Sequence, residues 1–302
     1  MPAAALALLL LVALLRGGSY LPTAWALDDL GPLAIVAAQC LVGTLALGGA
    51  LAWTGRLREA AAELRARPWP ALQLATLQTV LPFVLIALAL QHVPTGLASV
   101  LVCSAPLFAT TLSGITNPAD RPTGIQAVGL AVGIAGVALV VGLRAVGSVE
   151  QALAALALLV AAAAYASSGL VVRRHYRETP IVVAATMGVV PALPVIVVLA
   201  LALQLPDGGL SGRTGAGLLI LGLGATAIAL CAFLSLIRRV GPIRALLVTY
   251  LNPAVAVLLG VAFNGESLSV AVIAGLGLVV LGVVLATRRD TRAVAGPAPV
   301  LD

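Results

Sequence analysis

Apolar residues run along this chain in blocks separated by short polar breaks, without the strict alternation of strands. An α-helix needs about 20 apolar residues to cross a bilayer core, whereas transmembrane barrel strands alternate over about 10. The block length therefore predicts helices. Ten spans are expected, at 3–25, 31–54, 70–91, 95–116, 123–143, 151–172, 180–203, 215–237, 242–263 and 268–287. The narrowest breaks are Gln91-His92-Val93-Pro94 and Arg238–Pro242. Both carry turn or charge signals, and merging across either would give a helix of roughly 40 residues, twice what a bilayer needs. The expected fold class is an all-α polytopic membrane protein.

Composition agrees with the pattern. Hydrophobic residues make up 61% of the chain and charged residues 9%, with a mean hydropathy of +1.14. A soluble domain carries about 25% charged residues. Aromatics are only 4%, and alanine, leucine, valine and glycine dominate, which suits close helix approach in lipid. Cys40, Cys103 and Cys231 each lie inside an apolar run, without metal-ligand spacing or a disulfide framework. No metal or cofactor is expected. Walker A and H-E-x-x-H motifs are missing, so neither an ATP-driven pump nor a metalloenzyme is indicated.

All seventeen basic residues are arginine, and the net charge is +6. Their clustering between apolar runs speaks of topology rather than nucleic acid. With the N-terminus inside, fourteen arginines fall in cytoplasmic segments and only Arg144 and Arg213 in external ones. Positive residues favour the cytoplasmic side, so both termini are expected there, in a cell (inner) membrane. Asp28, Asp29, Glu150, Asp207 and Glu266 fall in the external turns. The first run lacks a basic n-region and is followed by Arg16, so it is read as a retained helix rather than a signal peptide. The segment 55–69, "GRLREAAAELRARPW", is expected to form a short interfacial helix, and 291–302 a disordered cytoplasmic tail.

The chain also repeats itself. "ASVLVCSAPLFATTLSG" from Ala98 aligns with "ALLVTYLNPAVAVLLG" from Ala245, placing Cys103 on Tyr250, Ala105 on Asn252 and Pro106 on Pro253. Further on, Asp120 meets Glu266, Gly129 meets Gly275, and Gly136-Val137 meets Gly282-Val283. Nearer the start, Arg16–Ser19 aligns with Tyr165–Ser168. The expected units are 1–147 and 148–290, each with five spans. An odd number of crossings makes the second unit enter from the opposite side. Such inverted repeats place a binding site near the membrane midplane.

These ordered features resemble the drug/metabolite transporter superfamily, in particular its ten-helix members with two EamA-type domains. Gly17-Gly18-Ser19-Tyr20 and Tyr165-Ala166-Ser167 stand at the first-helix pattern of each repeat. Pro106 and Pro253 match the fourth-helix proline, Glu266 and more weakly Asp120 the turn acid, and the paired glycines the fifth-helix pattern. Arg16 departs from the family pattern, where tryptophan is frequent. The resemblance implies a gradient-driven secondary transporter, with export favoured, acting on small metabolites or drug-like amphiphiles by alternating access.

Arg16 is the one ionisable side chain expected well inside a span. A guanidinium stays charged and needs a partner, and no Asp or Glu falls at mid-depth. Arg16 is therefore expected to meet freed carbonyls or an anionic part of a substrate, or to tie helices together. Ser19, Tyr20, Gln78, Tyr165, Tyr250 and Asn252 are the further substrate-binding candidates, with interhelical packing an equal reading for each. Pro106 and Pro253 are candidates for kinks or gating, since each removes a donor from a helix. Asp120 and Glu266 are expected to cap helices or turns. Expected partners are a small anionic or zwitterionic molecule and membrane lipids, with proton or counter-substrate coupling and the oligomeric state left open. The rival reading is a non-transporting membrane structural or sensory protein.

Overall fold

The computed structural model describes residues 3–116, 124–144, 148–203, 210–240, 247–266 and 270–286, and all regular structure among them is helical. Along the first part of the chain run α1 (Ala3–Gly17), α2 (Tyr20–Ala26), α3 (Pro32–Trp53), α4 (Leu57–Ala66), α5 (Pro68–Ala75), α6 (Leu81–Ala89), α7 (Thr95–Val102), α8 (Ala105–Thr116) and α9 (Ile125–Arg144). The second part holds α10 (Val149–His175), α11 (Ile181–Val189), α12 (Ala192–Leu203), α13 (Gly212–Leu219), α14 (Ala229–Val240), α15 (Leu247–Asn264) and α16 (Val270–Ala286). π-helical turns at Thr76–Val80 and Ile220–Ile228 join α5 to α6 and α13 to α14.

Among the described residues seven helices, several of them jointed, are long and apolar enough to cross a membrane: Ala3–Ala26, Pro32–Trp53, Pro68–Ala89, Thr95–Leu112, Val149–His175, Ile181–Leu203 and Gly212–Leu236. Three shorter apolar helices cover Ile125–Leu139, Leu251–Asn264 and Val272–Ala286. The protein is thus an all-α polytopic membrane fold. Large apolar side chains such as Leu14, Leu45, Val198 and Leu201 stand exposed along the helices, as a lipid-facing perimeter requires.

The helices start and break for local reasons. Pro32, Pro68 and Pro82 occupy first-turn positions, where a missing N–H costs nothing. The first span, expected as one helix, breaks at Gly18-Ser19. There Ser19 Oγ donates to the Arg16 carbonyl at 2.7 Å, satisfying an acceptor at the joint. A second break falls at Cys103-Ser104, where Ser104 Oγ donates to Leu101 O at 2.6 Å. Pro106 follows it in the first turn of α8, whereas Pro253 lies inside the continuous α15. The expected 55–69 helix is α4, ending where Pro68 opens α5.

Small residues decide which helices touch. The closest pairing is α9 with α16. A Cβ on Gly136 would lie 2.7 Å from Val279 N and 2.8 Å from Leu278 Cβ, so only glycine permits this approach. α1 packs on α14 and α15, α10 on α6, α7 and α8, α3 on α12 and the 220–228 turn, α7 on α15, and α2 on α13. Polar bonds pin both π-helical turns. Thr79 Oγ1 donates to Gly188 O at 2.7 Å, and Gln39 Nε2 donates to Thr226 Oγ1 at 2.9 Å, both buried. Asp120 and the 291–302 tail lie outside the described residues.

Candidate functional site

The break after α1 sets the site. Arg16 ends that helix, half-buried, with its guanidinium carbon 5.3 Å from the centre of the Phe233 ring on α14. This is cation–π range. Tyr20, two residues past the break, and Tyr165, midway along α10, both lie within electrostatic reach of Arg16, and Cys103 within reach of Tyr20. Among the described residues no carboxylate pairs with Arg16.

Packing explains how these side chains converge. α1 rests on α14 and α15, while α10 rests on α6, α7 and α8. Arg16 and Tyr165 therefore lie on helices with different neighbours, which meet where α7 packs on α15. Both remain half-buried. The site brings together a fixed positive charge, two phenols and an apolar ring, a set able to hold an anion attached to a flat or apolar body.

The other expected residues divide. Ser19 spends its hydroxyl on the Arg16 carbonyl. Gly17 presses on α15 where Pro253 follows: an added Cβ would lie 2.5 Å from Asn252 O and 2.9 Å from its Cα. Asn252 Oδ1 is buried without a hydrogen-bond partner among the described residues. Gln78 sits in the 76–80 turn with its side chain beside Gly188 of α11. Tyr250 belongs to α15, but its side chain lies outside the described set. Phe233 escaped sequence reasoning. Its only signal is a rare aromatic in an otherwise aliphatic run, and nothing local ties it to Arg16.

Glu266 lies against the start of a helix remote from it in sequence. Its carboxylate accepts from Thr95 N at 2.9 Å and Gly96 N at 3.2 Å, the first turn of α7. Asn264 Nδ2 donates to the same carboxylate at 3.2 Å. Two glycines make room. Gly265 takes φ +63, a left-handed turn that favours glycine. A Cβ on Gly260 would lie 2.6 Å from both Glu266 Oε2 and Thr95 Oγ1.

A second carboxylate behaves alike. Asp29, in the turn after α2, accepts from Ser211 N at 2.9 Å, next to the start of α13. The Ser211 hydroxyl, then the Thr214 hydroxyl and the Ser211 N–H, hold its carboxyl below the usual aspartate value. Beside it, Arg213 lies over the Trp25 ring at 4.3 Å.

At the opposite end of the bundle the chemistry reverses. Arg67 pairs with Glu63 at 3.0 Å and donates to the His175 carbonyl at the C-terminus of α10. These residues border a cleft of about 410 Å³ that Arg174, Arg177 and Glu178 also line. Tyr176 is buried behind it. Burial first, and Glu63 second, push its phenol up to about 12, with Arg67 opposing. No cluster of metal-ligating side chains occurs among the described residues.

A bundle of long apolar helices, with one guanidinium among aromatic rings and no carboxylate partner for it among the described residues, defines an all-α polytopic membrane protein. The EamA-like transporter family pattern matches residues 3–142 and again residues 152–288, and the chain belongs to that family. Escherichia coli K12 has a protein described as "Uncharacterized inner membrane transporter YedA" that is 32% identical over 218 residues, 70% of this chain and 68% of YedA. The YedA proteins of E. coli O6:H1 and O157:H7 match to the same extent. A solved crystal structure aligns with 95% of this chain and 98% of its own at a TM-score of 0.68 and 21% identity, a likeness of fold.

Proposed function

We propose that this protein is a secondary transporter of the inner membrane that moves a small organic anion by alternating access, with export as the net direction. The observation that carries the reading is Arg16, a cation with no carboxylate partner among the described residues, within electrostatic reach of Tyr165 and Tyr20. An interior charge without a protein counter-ion is costly, and intramembrane ionisable residues mark substrate pathways. The carboxylate or phosphate of the substrate completes the pair, while Tyr20, Tyr165 and Phe233 accept its flat or apolar body.

In this reading the chain crosses ten times, as two inverted five-helix units at 1–147 and 148–290. Support comes from packing pairs that recur when the units are exchanged. α1 on α15 corresponds to α10 on α8 and α7, and α1 on α14 to α10 on α6. α3 on the 220–228 turn corresponds to α11 and α12 on the 76–80 turn, and α9 on α16 maps onto itself. Arg16 and Tyr165, aligned in sequence, approach each other as equivalent positions near a two-fold axis do.

The test is flux in proteoliposomes with a panel of radiolabelled organic anions, zwitterions and cations, measured with and without a pH gradient and with and without unlabelled substrate inside. Saturable anion flux that falls at least tenfold in Arg16→Gln is the expected result. Protein that is folded yet binds and moves none of the panel would instead support the structural or sensory alternative. Identical flux with and without the pH gradient removes obligatory proton coupling and leaves counter-substrate exchange or facilitated diffusion.

A further inference from the structure

We propose that Asp29 and Glu266 are paired latches that hold one end of the bundle shut and must both release for that end to open. The inference extends the transport reading above from the binding site to the gate. Each carboxylate sits in a turn of one unit and accepts backbone N–H groups at the start of an eight-residue helix of the other. Asp29, after α2, binds Ser211 N before α13. Glu266, after α15, binds Thr95 N and Gly96 N of α7. The two bonds span 182 and 170–171 residues of sequence. Local turn formation therefore accounts for neither.

The geometry is that of a gate rather than of two ordinary caps. A cap on its own helix survives any rigid-body motion, because both partners move together. These caps do not, since parting α2 from α13 or α7 from α15 breaks them. Their surroundings are shaped for a carboxylate. Gly260 leaves the space that Glu266 Oε2 occupies, and Gly265 turns the chain toward α7. Negative charge is also favoured at a helix N-terminus, so ionised latches hold best.

At the opposite end the closure has reversed polarity. Arg67 donates to the carbonyl of His175 at the C-terminus of α10, the helix end that favours a cation. One end is thus held by anions on helix N-termini and the other by a cation on a helix C-terminus. Removing the carboxylates loosens the first end alone, and an alternating-access protein then closes the second more often.

The experiment uses the full chain in nanodiscs, with Cys40, Cys103 and Cys231 replaced by alanine and no substrate present. Spin-label pairs at Gln91→Cys with Phe263→Cys, and at Asp28→Cys with Leu210→Cys, report the latched end by pulsed distance measurement. A pair at Arg65→Cys with Arg177→Cys reports the other end. The double variant Asp29→Ala/Glu266→Ala is expected to raise the long-distance population at the latched end by about tenfold, each lost acceptor contributing a severalfold shift. The opposite pair should keep or shorten its distance. Gly260→Ala, which leaves both carboxylates in place but fills the space under Glu266, should loosen the Gln91–Phe263 pair in the same direction. Distances unchanged in both variants, or both ends loosening equally, would overturn the latch. Because the readout needs no substrate, a failed flux assay combined with shifted distances would refute the transport reading and leave the latch standing.

Discussion

Arg16 sets the energetic question at the scale of single residues. A charged side chain at the centre of a membrane helix costs about 2.5–3.5 kcal/mol on insertion scales. The Phe233 ring returns about 0.5–2 kcal/mol of that, as a cation–π contact does. A deficit remains, which in the proposed transport reading a bound anion would remove. Arg16→Gln is therefore expected to leave the empty protein as stable or more stable by thermal unfolding in detergent, while weakening anion binding about 10–150-fold, the worth of charged hydrogen bonds of about 1.5–3 kcal/mol. A loss of Tm together with unchanged anion affinity would mark Arg16 as a helix tie instead. Asp29 gives a pH prediction of definite sign. Its carboxyl is held below the ordinary value of 3.8 by Ser211 and Thr214. The stabilisation is complete above that value and is lost as pH falls through the lower folded one. Asp29→Asn should therefore flatten the fall of Tm expected of the wild type as pH drops below about 3.8. Arg16 was legible from sequence because it is the one charge inside a span, and Tyr165 because the repeat aligns it with Arg16, with Tyr20 just past the same stretch. Phe233 and Asp29 were not legible as partners, since their meanings lie in contacts more than 180 residues away.

Among elements, sequence periodicity located the apolar helices to within a few residues, because burial in lipid dominates their composition. It did not place the breaks at Gly18-Ser19 and Cys103-Ser104 or the two π-helical turns. Those depend on hydroxyls, such as Ser19, Ser104 and Thr79, bonding particular carbonyls once the helices are packed. The partner of Glu266 was hidden for the same reason: its carboxylate accepts from the first turn of α7, which packs on α15 only once the chain has folded. Close approach at α9 and α16 is also a property of the element pair. Gly136 faces Val279 N, Leu278 Cβ and Gly275 O within 3.0 Å of a would-be Cβ. Leucine there must push the helices apart, and overpacking costs about 1–3 kcal/mol. Gly136→Leu should lower Tm clearly, whereas Gly277→Ala, where a Cβ meets nothing within 4 Å, should leave it nearly unchanged. Equal Tm values for the two variants would argue against this seam.

For the whole molecule the decisive quantity is sidedness, because the latches, the Arg67 closure and the export direction all take their meaning from which end faces the cytoplasm. The arginine distribution predicts it. Single cysteines at Arg213 and Arg144 should react with an impermeant maleimide added to intact spheroplasts. Cysteines at Arg65 and Arg239 should react only after permeabilisation. These four positions come from both proposed units, so the experiment also tests inversion. Two units in the same orientation, each crossing an odd number of times, cannot be joined by as few residues as separate α9 from α10 without a further crossing. If Arg213 and Arg65 label from the same side, the ten-crossing inverted arrangement fails. If all four labels exchange sides together, the helices and their pairing stand, but Asp29 and Glu266 then close the cytoplasmic end and the Arg67 closure the external one.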